Sequence, residues 1–378
     1  MDMIHFSENI AKLRRDKRIT QEQLAEFMGV TKASVSKWET KQSMPDVALL
    51  PQIASYFDVT IDVLLGYEPR LSIEQIQKIY IDFTKAFAKE EFEVVMNKSR
   101  ELVKKYYSCY EFLVQMVCLW MNHFMLPGGN HSIDILEEAR NLCEHILKDC
   151  KDISVCNDVA LLQASIDLQL GNATAVIEAL EEINDPCSLS MQGEGVLVSA
   201  YLQAGKNEKA NDYIQITMYQ HLIALVSEAA QYLTIHKYNL ARCEETLRRI
   251  TELARAYNLE NINFNVMAIF HYQMAIIYCQ HNKKLEAIQQ LERFFKLTDN
   301  FLCHDESHLK SDDFFDRLAV WFEKTSLGSN IPRDKKVIYD GLALSFEAPL
   351  FETLKAEPKY QKLKKLVENR GEMYERNN

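Results

Sequence analysis

The chain has 378 residues, 47% of them hydrophobic and 26% charged, which is too long for one core of ordinary size and predicts two or more packed units. Gly (11) and Pro (8) are scarce, so the turn punctuation of β-sandwiches and short-strand folds is missing and an all-α protein is expected. The formal net charge of −11 is uneven, with nine Lys and Arg against ten Asp and Glu in residues 1–70 and 34 against 44 in the remainder; a polyanion is therefore expected to meet the N-terminal segment and not the rest.

In chain order, helical periodicity begins at Phe6 and continues through Ile10 and Leu13. The basic cluster Lys12, Arg14, Arg15, Lys17 and Arg18 closes this helix and suits a helix C-terminus and a phosphate backbone equally. Thr20 with Gln23 three residues on forms a capping box, which starts a second helix at about Gln21, and Gly29 ends it after Met28. Thr31 is the next N-cap. The third helix turns Val35 and Trp38 inward and leaves Lys32, Ala33, Ser36 and Lys37 outward, a face without bulk that can enter a major groove. Two apolar stripes follow, one of Leu49, Leu50, Ile53, Ala54 and Phe57 and one of Val59, Ile61, Leu64 and Leu65, predicting a fourth and a fifth helix over the core.

TQEQLAEFMGVTKASVSKWE followed by PDVALLPQIASYFDVTIDVLLG resembles the lambda-repressor-like, Xre-type helix-turn-helix domain over residues 6–66. The resemblance implies a five-helix DNA-binding domain over 1–68. It also implies roles by position: Gln21 contacts phosphate and braces helix three, Lys32, Ala33, Ser36 and Lys37 face base edges, and Gln42 approaches the backbone. Thr31 at the helix start and Arg15 in the basic cluster complete the DNA-binding set, and Arg14 with Glu39 matches the family's internal ion pair. Ala33 departs from the Gln or Arg often found at its position, so readout there rests on a thymine methyl or on DNA shape.

After GYEPRLS the chain becomes a series of helical segments with short polar turns. ASIDLQLGNATAVIEAL from residue 164 and VSAYLQAGKNEKANDYI from 198 place Gly171 and Gly205 34 residues apart in the same turn, the tetratricopeptide period. AIIYCQHNKKLEAIQQLERF from 275 repeats the pattern with Asn282 for the turn glycine, whereas residues 220–260 fit poorly. The C-terminal PLFETLKAEPKYQKLKKLVEN resembles the closing segment of some tetratricopeptide arrays. A tetratricopeptide-like α-solenoid over 69–378 is expected, with a concave face open to a ligand. By the family's register Gln192, Ser199, Gln203, Tyr272 and Gln280 turn toward that face.

Catalytic chemistry has little to stand on. No Walker loop, GxSxG or GxGxxG is present. Cys303, His304 and His308 in FLCHDESHLKSDD stand within helical reach of a shared metal, but the order HDESH lacks the HExxH pattern and a fourth ligand. Cys143, Cys150 and Cys156 read as buried small hydrophobes. The sequence thus predicts no enzyme, no metal site and no cofactor. Nine cysteines spread singly, an opening without a signal-peptide pattern and no apolar run near about 20 residues predict a reduced cytoplasmic protein without a membrane span.

An N-terminal DNA reader joined to such a solenoid resembles the peptide-pheromone-sensing transcription regulators of bacteria and their phages. The resemblance implies a homodimer, double-stranded DNA as partner and a peptide effector in the solenoid. The alternative is an interaction scaffold, in which the helical repeats recruit a partner protein and sense nothing.

Overall fold

The computed structural model describes residues 5–67, 70–181, 193–302, 311–325 and 327–377, and all regular structure among them is helical. Two compact units emerge, one of residues 1–72 with the turn 106–109, the other of 73–105 with 110–378.

The first unit holds α1 (Phe6–Asp16), α2 (Gln21–Met28), α3 (Lys32–Glu39), a 3-10 turn (Val47–Leu49), α4 (Leu50–Phe57) and α5 (Ile61–Leu65). The stripes read from sequence meet in one core, except Ile61, which is exposed: Phe6, Ile10, Leu24, Val35, Ile53 and Leu64 are fully buried, and Trp38 packs edge-on against Phe6. Its two ends are tied together where His5 N–H donates to Leu65 O at 2.8 Å and Asn9 Nδ2 donates to Val63 O at 3.1 Å. Gly66 closes α5 at φ +67°, and a Cβ there would lie 2.9 Å from His5 Cβ, so the position needs glycine for both conformation and space.

The second unit opens with α6 (Ile73–Lys89), α7 (Phe92–Lys105), α8 (Tyr110–His123) and α9 (Gly129–Asp149). Helix α8 is buried on nearly all sides, with Phe112, Leu113, Met116, Val117 and Leu119 inaccessible, so its weak amphipathicity is that of a central helix. Next come α10 (Ile153–Gln169), α11 (Ala173–Leu180), α12 (Gly193–Gln203), α13 (Asn207–Ile235), α14 (Leu240–Ala256) and α15 (Leu259–Ile262). The unit ends with α16 (Phe264–Gln280), α17 (Lys284–Leu302), α18 (Leu318–Lys324), α19 (Lys335–Ser345), a 3-10 turn (Pro349–Leu354) and α20 (Pro358–Asn377).

The three turns aligned by sequence share one backbone geometry. Gly171, Gly205 and Asn282 all take positive φ (84°, 67° and 55°). In each, the following N–H reaches back to a carbonyl five residues earlier at 2.8 Å: Asn172 to Asp167, Lys206 to Tyr201 and Lys283 to Tyr278. This is the helix-terminating bond pattern that a left-handed residue permits, and asparagine tolerates it well enough to replace glycine. Ala210 and Ala287, four residues beyond the donors of these bonds on the second helix of their pairs, are buried as close helix approach requires.

The poor fit of residues 220–260 has a structural cause, because α13 runs unbroken for 29 residues where a repeat would turn. At the C-terminus Phe351, Leu354 and Tyr360 are fully buried, and Tyr360 O–H donates to Phe346 O at 2.5 Å, which fixes the closing segment to the core. Of the cysteines expected to be buried, Cys143 is, and burial pushes its thiol up to about 12. Cys150 and Cys156 are only half-buried, the first capping the end of α9 and the second in the first turn of α10. Cys303, His304 and His308 lie outside the described residues. No described helix is long and apolar enough to cross a membrane.

Candidate nucleic-acid interface and ligand groove

The reader is built from two capped helices. Thr20 and Gln23 exchange both bonds of the capping box, Gln23 N–H to Thr20 Oγ1 at 3.2 Å and Thr20 N–H to Gln23 Oε1 at 2.8 Å. Gly29 then takes φ +65° and ends α2. Thr31 caps α3 by accepting from Ser34 N–H at 3.1 Å, and its hydroxyl also meets Ser34 Oγ at 2.8 Å. That hydroxyl is therefore committed to the helix start, and its role is to aim the helix.

On α3, Val35 and Trp38 are buried while Lys32, Ala33 and Lys37 are exposed and Ser36 is half-exposed. Lys32 pairs loosely with Glu22 at 3.5 Å, and Lys37 has no ion-pair partner among the described residues. Gln42 is exposed in the loop that follows, and its N–H donates to Lys37 O at 2.9 Å. Ser34, Lys37, Gln42 and Ser43 line one hollow of about 470 Å³; Ser34 and Ser43 were not singled out by sequence.

A guanidinium holds the frame behind this face. Arg14 of α1 donates from Nη2 to Glu39 Oε2 at 2.9 Å and from Nε to the other oxygen, and its Nη1 donates to Ile19 O at 2.9 Å. Gln21 Nε2 donates to the same Glu39 Oε2 at 2.9 Å, so the bracing expected of Gln21 is made through this carboxylate. The basic cluster divides accordingly. Arg14 is internal, Lys17 donates to Tyr56 O and lies 4.0 Å from that ring's centroid, and Lys12, Arg15 and Arg18 stay exposed.

Burial alone would raise the Glu39 pKa, but hydrogen bonds from Arg14 and Gln21, with the charges of Arg14 and Arg15, hold it below the ordinary carboxylate range. The stabilisation is thus fully present above the unfolded pKa of about 4.3 and is lost as pH falls through the lower folded value. Melting of the first unit, followed by Trp38 fluorescence in a Trp120→Phe, Trp321→Phe background, should lose stability below about pH 4.3, and Glu39→Gln should flatten that acid limb. An unchanged acid limb in Glu39→Gln would place the titrating group elsewhere.

The second unit carries a groove of about 580 Å³ bounded by α8, α16, α17, α19 and residues 330–333. Asn122, Asn263, Asn265, Asn330 and Arg333 supply its polar groups, and Phe264, Ile269, Phe294, Ile338 and Leu342 supply apolar wall. Asn263 donates to Tyr219 Oη at 3.0 Å and Asn122 to Cys118 O at 2.9 Å. These bonds fix two of the amides, and Asn263 Oδ1 also accepts from Val266 N–H at 3.4 Å as the cap of α16. Among the described residues Arg333 is the only charged one lining the groove, and it has no ion pair there. The surrounding protein desolvates its guanidinium and lowers its pKa, with the Tyr80 phenol acting the other way. Neighbouring His123 is neutral at physiological pH, its pKa brought to about 4 chiefly by burial.

Ser199, Gln203, Tyr272 and Gln280, predicted from sequence to face a ligand, do not line this groove. Ser199 and Gln203 are exposed on α12, and Ser199 Oγ donates to Gly195 O at 2.9 Å. Gln280 is exposed at the end of α16, and Gln192 lies outside the described residues. Tyr272 stands one turn beyond Ile269, but its O–H donates to Ser345 O at 3.1 Å and its ring packs on Phe294 and Phe351, so the C-terminal segment occupies it. The sequence signal that was available is NINFN at 261–265, a run of amides at a helix start.

Comparison with known proteins agrees with the first unit's architecture. The helix-turn-helix family profile matches residues 10–64. The HTH-type transcriptional activator BcrR of Enterococcus faecalis is 37% identical over 83 residues, 20% of this chain and 41% of that protein. The uncharacterized HTH-type transcriptional regulator YqaE of Bacillus subtilis is 34% identical over 70 residues, 18% of this chain and 60% of that protein. The chain thus spans less than two thirds of the length of either relative. Among solved structures, Bacillus thuringiensis PlcR in complex with the peptide PapR7 and DNA has 16% identity and a TM-score of 0.33, over 78% of this chain and 94% of that one. With its capped α2 and α3, its inward Val35 and Trp38 and the profile match over the same residues, the N-terminal unit of this chain is an Xre-like helix-turn-helix domain.

Proposed function

We propose that this chain is a sequence-specific, dimeric DNA-binding transcription regulator, with residues 1–68 as the reader and 69–378 as the sensing and dimerising part, and that it is not an enzyme. The observation that carries the reader is the outer face of α3, where Lys32, Ala33, Ser36 and Lys37 are unobstructed above a frame locked by Arg14 and Glu39. The names of the helix-turn-helix relatives, an activator and a regulator, agree with it. Lys37 and Ser36 read base edges, Gln21, Gln42 and Arg15 meet phosphates, and Thr31 orients the helix. One such module covers roughly 600–1,000 Å², so two readers about 34 Å apart are needed for tight, specific binding.

The groove with Arg333, and not the α12 face bearing Ser199 and Gln203, is the proposed ligand site. Asn122, Asn263 and Asn330 spend amide donors inside the protein; the amide groups left over, with Asn265, complement a peptide backbone, and Arg333 provides a fork for one carboxylate between apolar walls. A short peptide with a free carboxylate fits these groups.

The test begins with the mass in solution by light scattering and with selection of a duplex from random sequence. A dimer on a palindromic site is expected; a monomer that selects no sequence overturns the proposal. On the selected site Lys37→Ala should lose about tenfold in affinity and lose less on random DNA. Arg15→Ala should weaken both and reduce the salt slope by about one. Equal losses for Lys37→Ala on the two DNAs would remove it from base reading.

A further inference from the structure

Helices α17 and α20 enclose an open groove of about 670 Å³. Its floor is apolar, with Phe295 and Leu363 buried and Leu366 left 46% exposed. Its rim is basic, with Lys296 from α17 and Lys359, Lys362 and Lys365 from α20, all exposed.

The charges across the groove do not neutralise this rim. Asp299 is taken by Arg370 at 3.3 Å, which leaves Glu292 as the other carboxylate of the lining. No carboxylate among the described residues forms an ion pair with any of the four lysines. On α20, Lys359, Lys362 and Leu366 follow at i, i+3 and i+7, so charge and exposed leucine share one helix face. Like charges so placed repel one another, and an anionic partner relieves that repulsion while covering Leu366.

The composition discriminates between partners. A two-fold contact of this face with a second copy would set four lysines against four. A nucleic-acid backbone would satisfy the lysines but has nothing to lay on Phe295, Leu363 and Leu366. An amphipathic helix with aliphatic residues at i, i+3 or i+4, and i+7 and acidic residues beside them satisfies floor and rim together. We propose that the α17–α20 groove docks an acidic amphipathic helix of a partner protein. The proposal does not depend on the ligand groove at Arg333 or on the reader.

The probe is a fluorescein-labelled synthetic helical peptide of about 18 residues, with leucines at that spacing and glutamates between them, titrated with the full chain and followed by anisotropy. Saturable binding is expected, at least about tenfold tighter than for a scrambled peptide of the same composition, and weakened at least about tenfold by Lys362→Glu with Lys365→Glu or by Leu366→Asp. Lys296→Glu on the opposite helix serves if the α20 exchanges lower the melting temperature. Absence of saturable binding, equal binding of the scrambled peptide, or binding unaffected by all three sets of exchanges overturns the proposal. Displacement of the peptide by random-sequence duplex in the wild type, lost in Lys362→Glu with Lys365→Glu, would assign the groove to polyanions in general and also overturn it.

Discussion

Arg14→Ala should destabilise the first unit by about 3–5 kcal/mol, a large share of the roughly 5–15 kcal/mol that a small domain holds. The side chains of Arg14 and Glu39 are only 14% and 7% exposed, so truncating the arginine leaves a carboxylate out of water with Gln21 as its remaining partner. Three segments come loose at once, because the same guanidinium joins α1, the turn at Ile19 and α3. Trp38 fluorescence during urea unfolding measures the loss, and affinity for DNA should fall with it although no outward residue of α3 has changed. Arg14→Met combined with Glu39→Leu should cost less than Arg14→Ala alone, since removing both charges removes the stranded one. A single exchange costing under about 1 kcal/mol would mean that the pair behaves as a solvated surface pair.

Arg333→Gln should sharply weaken the response of the second unit to carboxylate-bearing peptides. A pool of random hexapeptides with free C-termini is expected to raise the melting temperature of the wild-type chain, as any ligand selective for the folded state does. The same pool with amidated C-termini, or the free pool with Arg333→Gln, should raise it far less. A charge-assisted bond to a partly desolvated guanidinium contributes about 1.5–3 kcal/mol, roughly ten- to hundredfold in affinity. Arg333 has no ion pair to break among the described residues, so the exchange should leave the melting temperature of the unliganded chain nearly unchanged. Equal responses to the free and amidated pools would remove the carboxylate from the recognition scheme. No response to either pool in the wild type would remove the peptide.

The features that were legible in the sequence are local ones. Thr20 with Gln23, Gly29 and Thr31 are backbone signals confined to a few residues, and all appear with the expected geometry. The turns at Gly171, Gly205 and Asn282 were found for the same reason, since each is defined by a helix end and one left-handed residue. The groove at Arg333 had only the amide run at 261–265 to announce it. It joins Asn122 of α8 to Asn263 and Asn265 at the start of α16 and to Arg333 before α19, an arrangement made by packing and not by any period. Tyr272 shows the converse. It was expected to face a ligand, but the C-terminal segment folds back over it, and nothing near Tyr272 in the chain announces Ser345 or Phe351. In the basic cluster, the aromatic seat of Lys17 is likewise formed by Tyr56 from another helix.

The unbroken α13 has mechanical meaning. At 29 residues it is a rod about 43 Å long. It lies against α12 at one end of the sequence order and against α14, α16 and α18 beyond it. A jointed pair of repeat helices would absorb a small tilt of α16 at the intervening turn. A single continuous rod has no such hinge, so a shift of α16 would be carried along the strut as a whole instead of being taken up at a turn.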